Sequence, residues 1–225
     1  VNAADDAHPD VVPDCLQVLH ADAHLLAFDK PSGLLSVPGR GADKQDCLAT
    51  RVLAQWPDVR VVHRLDQATS GVIVLARGLE MQRALSDAFA ARRVEKRYIA
   101  VVDGWPDADA GTIDLPLQAD WPNRPMQQVD RIAGKPALTR WQVLSRTRSA
   151  DGAPCTRLAL MPETGRTHQL RVHLQAIGHP ILGDALYAPP AARDRAPRLL
   201  LHAESLALAH PATSACLRIA CPVPF

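Results

Sequence analysis

The chain has 225 residues and a mass of 24.4 kDa, is 47% hydrophobic and 22% charged, and carries a net charge of +1. That length is enough to bury one sizeable core, and its 19 prolines and 12 glycines form no repeat, which excludes collagen-like, coiled-coil and disordered chains. No apolar run approaches the roughly 20 residues that span a bilayer, and five scattered cysteines without a Cys-x-x-Cys favour a reducing cytoplasm over a disulfide framework.

Residues 1–14 form an acidic lead without the basic start or apolar stretch of a secretory signal, and are expected to be flexible. Residues 16–19 and 25–30 read as strands, the second closed by Pro31-Ser32-Gly33. Asp46 is placed to cap a short helix running to about Trp56. Residues 59–65 and 71–76 are β-rich runs separated by the polar segment 66–70. Met81, Leu85, Ala88 and Phe89 make one apolar stripe, predicting a helix over 79–93. Strands follow at 98–102, 113–117, 138–144, 157–161, 199–208 and 216–219, interrupted by a second helix at 167–177 with Leu170, Leu174 and Ile177 inward. Many strands with few intervening helices predict an α+β domain, a large and mostly antiparallel sheet flanked by helices, over residues 15–225 without a linker.

Charge is unevenly spread. Residues 1–50 hold three basic and eight acidic side chains, a net of −5, which leaves +6 elsewhere. Basic residues gather at 92–97, at 124–140 and at Arg193, Arg195 and Arg198, either a face for phosphates or an ordinary solvated surface.

The motifs that mark common enzymes are missing. There is no G-x-x-x-x-G-K-[ST], no G-x-G-x-x-G between strand and helix, no G-x-S-x-G and no H-E-x-x-H, so nucleotide, nicotinamide and zinc chemistry are disfavoured. His168 and His173, five residues apart, sit about 140° apart on a helix and cannot chelate one metal. His20, His24, His179, His202 and His210 show no ligand spacing either.

One segment stands out, Val61-Val62-His63-Arg64-Leu65-Asp66-Gln67-Ala68-Thr69-Ser70-Gly71. An apolar strand runs into a turn with one carboxylate and returns into another apolar strand. Such an aspartate is held by a rigid element while reaching a cleft, as a nucleophile or general base needs. The same spacing also fits a plain Asx-turn with Thr69 and Ser70.

His63-Arg64-Leu65-Asp66 followed by Thr69-Ser70-Gly71 resembles the signature of the RluA-type pseudouridine synthases. Asp29-Lys30-Pro31-Ser32-Gly33-Leu34-Leu35-Ser36-Val37-Pro38-Gly39 resembles that family's first block, and Glu95-Lys96-Arg97-Tyr98-Ile99-Ala100 the block with its active-site tyrosine. Thr164-Gly165-Arg166-Thr167-His168-Gln169-Leu170-Arg171-Val172-His173, with Gly178-His179-Pro180-Ile181-Leu182-Gly183-Asp184, resembles a third. The four blocks come in the family's order over about residues 15–225.

The resemblance implies the pseudouridine synthase fold and isomerisation of uridine to pseudouridine in structured RNA, without cofactor, nucleotide or metal. It assigns Asp66 as the essential carboxylate, Arg171 as its ion-pair partner and Tyr98 as the residue that stacks on uracil. Arg64 would fill the place of a flipped-out base, His63 would position the turn, and Arg166 and His168 would face the RNA. On helix geometry His168, Arg171 and Gln175 share a face opposite the apolar stripe, which lets Arg171 leave the core. Asp120-Trp121-Pro122-Asn123-Arg124-Pro125 and Gly134-Lys135-Pro136-Ala137 resemble a short subgroup acting on 23S ribosomal RNA and tRNA anticodon stem-loops. Fewer than 20 residues precede the first strand, so the family's frequent S4 RNA-binding domain is not expected. A monomer with no membrane association is expected. Two other functions fit the residues alone, a non-catalytic RNA-binding protein and a carboxylate-dependent nucleosidase.

Overall fold

The computed structural model describes residues 16–149 and 151–225, so the expected acidic lead lies outside the described residues. Twelve strands and four helices follow in the order β1 (Gln17–Ala21), β2 (Leu25–Lys30), α1 (Leu48–Leu53), β3 (Val59–Val61), β4 (Ser70–Arg77), α2 (Gly78–Ala90), β5 (Glu95–Asp103), β6 (Ala110–Asp114), β7 (Leu117–Ala119), β8 (Gln127–Val129), β9 (Leu138–Arg148), β10 (Pro154–Pro162), α3 (Gln169–Ala176), α4 (Pro190–Arg193), β11 (Leu201–Ala209) and β12 (Cys216–Ala220). Ten strands make one sheet with the path β1-β2-β4-β11-β5-β10-β9-β6, β3 added to β4 and β12 to β11, while β7 and β8 pair as a separate ribbon. Among the described strands only the β4–β11 pair is parallel. The predicted α+β class and mostly antiparallel sheet are therefore observed. Among the described residues no helix is long and apolar enough to cross a membrane.

The run 71–76 reads as continuously apolar because β4 is covered on both faces. Val72, Val74 and Ala76 join Leu25, Ala27 and Leu85 of α2, whereas Ile73 and Leu75 join Leu26, Phe28 and Leu48 of α1. That alternation is the period of a strand. A third cluster packs α3, through Leu170 and Leu174, on Ala100, Val102, Leu158 and Leu160 of β5 and β10. Each fully buried leucine is worth about 1.5–3 kcal/mol. Gly71 has φ +114, and a Cβ there would meet Ala203 O at 2.3 Å, so glycine lets β4 close against β11.

Several boundaries differ from expectation, each for a local reason. Asp46 does not cap α1. Cys47 is the N-cap, its Sγ accepting from Thr50 N–H while Thr50 Oγ1 accepts from Cys47 N–H, and Asp46 instead pairs with Arg51. The strand expected over 59–65 stops at Val61, because Val74 N–H donates to the imidazole Nε2 of His63 at 2.9 Å rather than continuing the β3 ladder. Helix α2 ends at Ala90, before a left-handed Arg92 with φ 57. The strand expected over 113–117 divides into β6 and β7, and the β7–β8 ribbon and α4 carried no sequence signal. Helix α3 begins at Gln169, since His168 has φ 54.

Candidate active site

Residues 62–69 leave the sheet between β3 and β4 and carry Asp66 to the rim of a cavity of about 550 Å³. Backbone bonding fixes that loop. Thr69 N–H closes a turn onto Asp66 O at 3.1 Å, and Gly33 N–H donates to Gln67 O at 2.8 Å. Ser36 Oγ donates to Leu65 O at 2.7 Å and accepts from Leu65 N–H, while Ser32 Oγ donates to Ala68 O at 2.8 Å. Lys30, fully buried, donates its ammonium to the carbonyls of Pro31, Leu34 and Gln67 at 2.8, 2.7 and 3.2 Å. Burial pushes that amine down to about 8, against an opposing pull from Asp66. The 29–39 block thus clasps the Asp66 loop, a role the sequence reading did not assign to Lys30, Ser32 or Ser36.

Arg171 of α3 approaches Asp66 from the opposite wall, its Nη1 3.4 Å from Oδ2. It does not leave the interior as the helix-face argument expected, being only 4% exposed. Its strongest partner is Asp184, fully buried, which it grips with Nε and Nη2 at 2.8 and 2.7 Å. Asp184 Oδ1 also accepts from Leu186 N–H and Tyr187 N–H, at 2.9 and 3.2 Å. Burial works against the guanidinium, but Asp184 and then Asp66 outweigh it and keep it charged. Gly183 makes this turn, having φ +74 and no room for a Cβ beside Arg198 O. Asp184 lies in a quoted motif, yet nothing in its spacing pointed to Arg171.

His168 contributes from the turn before α3 rather than from its face. Its Nε2 is 3.9 Å from Asp66 Oδ2 and its Nδ1 2.6 Å from the Tyr187 hydroxyl. Burial lowers its pKa, partly offset by Asp66. Tyr98 of β5 lines the same cavity. Burial first, and Asp66 second, push the phenol upward, so it rests neutral. Arg64 is exposed at the mouth, with Nη2 3.5 Å from Thr167 Oγ1, and Arg166, also exposed, donates Nε to Pro136 O at 3.1 Å. His63 stacks on Phe89 with centroids 4.5 Å apart, and burial takes it down to about 3. Accepting the Val74 N–H, it holds the turn as a neutral ring. All seven predicted residues line this one cavity.

A second hollow of about 400 Å³ adjoins the first and shares Arg92, Lys96, Pro162 and Glu163 with it. Its cations are partly neutralised, Arg140 by Glu163 at 2.7 Å and Arg218 by Glu95 at 3.7 Å. Arg124 stacks on the exposed Trp121 at 4.4 Å.

Metal-type donors meet elsewhere. Asp29, His202 and Cys221 bring one ligand atom each within 4.8 Å of one another, a clustering that histidine spacing could not reveal. None of the three lines the cavity. His202 bonds Ser70 Oγ at 2.8 Å and Cys221 Sγ at 3.1 Å, and burial pushes the thiol up to about 12. Arg198, donating to the same Ser70 Oγ at 2.6 Å, sets a cation beside the trio that opposes a divalent ion.

A carboxylate anchored through its loop, faced by a buried arginine and open to a cavity with a neutral tyrosine, suits attack on or proton removal from a sugar. A family model described as RNA pseudouridylate synthase matches residues 24–176. The Dual-specificity RNA pseudouridine synthase RluA of Escherichia coli (strain K12) is 49% identical over 210 residues, 93% of this chain and 94% of that protein. Its Yersinia pestis counterpart is 50% identical over 208 residues, 92% and 99%. The solved structure of Human RNA Pseudouridylate Synthase Domain Containing 1 superposes with a TM-score of 0.79 at 30% identity, covering 97% of this chain and 87% of that one.

Proposed function

The chain belongs to the RNA pseudouridylate synthase family and is an RNA pseudouridine synthase, and we propose that Asp66 is its essential carboxylate, acting on a uridine flipped out of folded RNA. The observation that carries this reading is the placement of Asp66 Oδ2 3.4 Å from Arg171 at a cavity lined by Tyr98. Arg171, itself locked by Asp184, sets a fixed positive charge 3.4 Å from the Asp66 carboxylate as it attacks C1′ or removes a ribose proton. Glycosidic cleavage frees the uracil, which turns and bonds through C5 to C1′, and the C5 proton is then lost.

Tyr98 stacks on the base, an interaction worth about 1–3 kcal/mol. Burial and Asp66 hold its phenol protonated in the resting site, with no oxyanion to accept a proton. The C5 proton leaves only after C5 has bonded to C1′, a step that also breaks any Asp66–C1′ ester and restores the carboxylate, so a part for Tyr98 in moving that proton belongs late in the reaction. Arg64, exposed at the mouth, is the side chain to occupy the vacated stack, where its planar guanidinium pairs and stacks as lysine does not. Arg166, Arg92 and Arg124 are candidate phosphate contacts.

The dual specificity in the relatives' names supports two RNA classes, which we read as a 23S ribosomal RNA hairpin and tRNA anticodon stem-loops. Action in the cytoplasm, as a monomer and without cofactor, completes the proposal. RNA carrying 5-³H-uridine tests it. The proposal predicts tritium release with uracil retained in the chain, from both RNA classes. Free uracil would mean a nucleosidase, and binding without release a non-catalytic protein.

A further inference from the structure

We infer that Tyr187 and His168 are positioning residues for Asp66, Tyr187 fixing His168 as the tautomer whose Nε2–H faces Asp66 Oδ2. The inference rests on the reading of Asp66 as the essential carboxylate. Its basis is a directional chain of hydrogen bonds. Gln127 N–H donates to the Tyr187 hydroxyl oxygen at 2.8 Å. That occupies an acceptor position and leaves the phenolic proton for His168 Nδ1, 2.6 Å away. Burial pushes the phenol up to about 12, so it remains a donor at neutral pH. An accepting Nδ1 puts the proton of a neutral imidazole on Nε2, the nitrogen 3.9 Å from Asp66 Oδ2. That separation is about 1 Å longer than a hydrogen bond, so a small approach of the two side chains would make one.

The backbone supports the same reading. His168 has φ 54 and ψ 17, a left-handed conformation that non-glycine residues seldom adopt. In that conformation the imidazole lies outside the helix and meets both Tyr187 and Asp66. Tyr187 is placed in turn by its N–H on Asp184 Oδ1 and by its ring, 5.0 Å from the Arg171 guanidinium. Both donors that face Asp66 therefore trace to the 183–187 turn.

Among the described residues, Arg171 and His168 both approach Oδ2 of Asp66, leaving Oδ1 as the oxygen to meet the ribose. The groups around His168 are Asp66, Arg171, Asp184, Arg64 and Tyr187. With burial they favour a neutral ring, which orients the carboxylate without cancelling its charge. Arg171 supplies the charge and His168 the direction.

Side-chain ¹⁵N NMR of the histidine-labelled protein, with His168→Gln to assign the signal, reads the tautomer directly. The expected result is an unprotonated Nδ1 and a protonated Nε2 near neutral pH, and the opposite tautomer overturns the inference. Tyr187→Phe keeps the ring over Arg171 but loses the hydroxyl. It should shift the tautomer balance towards Nδ1–H and lower kcat about tenfold, the worth of about one hydrogen bond, with KM for RNA unchanged. Wild-type kcat, or a loss confined to KM, overturns it. If Tyr187→Phe does not fold, the wild-type tautomer remains decisive. Inactive Asp66→Asn beside fully active Tyr187→Phe sinks this inference alone, whereas active Asp66→Asn sinks the reading of the carboxylate beneath it.

Discussion

Two carboxylates share Arg171 and differ in almost everything else. Asp184 is fully buried, accepts two guanidinium hydrogen bonds of 2.8 and 2.7 Å and two backbone N–H groups, and is saturated. Asp66 keeps 24% of its side chain exposed, with the arginine at 3.4 Å and an imidazole at 3.9 Å. The saturated carboxylate holds the cation, while the under-coordinated one keeps an oxygen open to the cavity, as the proposed role requires. Each is secured differently. Asp184 is fixed through its side chain, whereas Asp66 is fixed through the backbone of its loop, by Lys30, Ser32, Gly33 and Ser36. Immobilising a reactive group by its backbone leaves its side chain free to react.

The comparison can be broken at either carboxylate's support. Asp184→Ala strands a buried guanidinium and should cost about 3–5 kcal/mol of folding stability in chemical denaturation, with activity lost alongside. An unchanged stability would mean Asp184 is not the anchor. Lys30 sharpens the contrast through pH. Its pKa is about 8 folded against 10.5 ordinarily, so between those values the unfolded chain binds more protons and stability rises with pH. Measured against Lys30→Met, the wild type should gain about 3 kcal/mol across that window; a flat difference contradicts a buried ammonium. Arg171→Lys keeps one positive charge but loses the fork that grips Asp184 while reaching Asp66. It should lower kcat about tenfold with RNA affinity little changed, read from single-turnover and binding measurements.

How much of this was legible in the chain depended on distance along it. Asp66 stood out because an apolar run, a polar turn and a second apolar run bracket it within 16 residues, 61–76, but that spacing fitted a plain Asx-turn as well, and the family resemblance carried the choice. Val74 was legible only as a strand residue, although its N–H turns His63 into the bracket that peels the loop from the sheet. Lys30 was placed only at the end of the 25–30 strand; lysines are seldom buried, and its three carbonyl partners come from loops that pattern reading cannot fold together. The face assigned to His168 assumed helical geometry one residue beyond where it begins, and a positive φ leaves no mark on apolar periodicity. Asp184 was visible as a letter in a motif but not as a partner, because its significance lies in Arg171 and Tyr187 meeting it in space.

The most direct test of the division between the two carboxylates is pseudouridine formation by Asp66→Asn, mapped on tRNA and 23S ribosomal RNA fragments beside the wild type. This substitution keeps the loop and nearly the shape of the side chain, so the protein should fold and bind RNA as before. The account predicts pseudouridine in the wild-type reactions and a rate at least about 10⁴-fold lower for the variant. Product from both proteins at similar rates would contradict it and mean that the reactive carboxylate lies elsewhere.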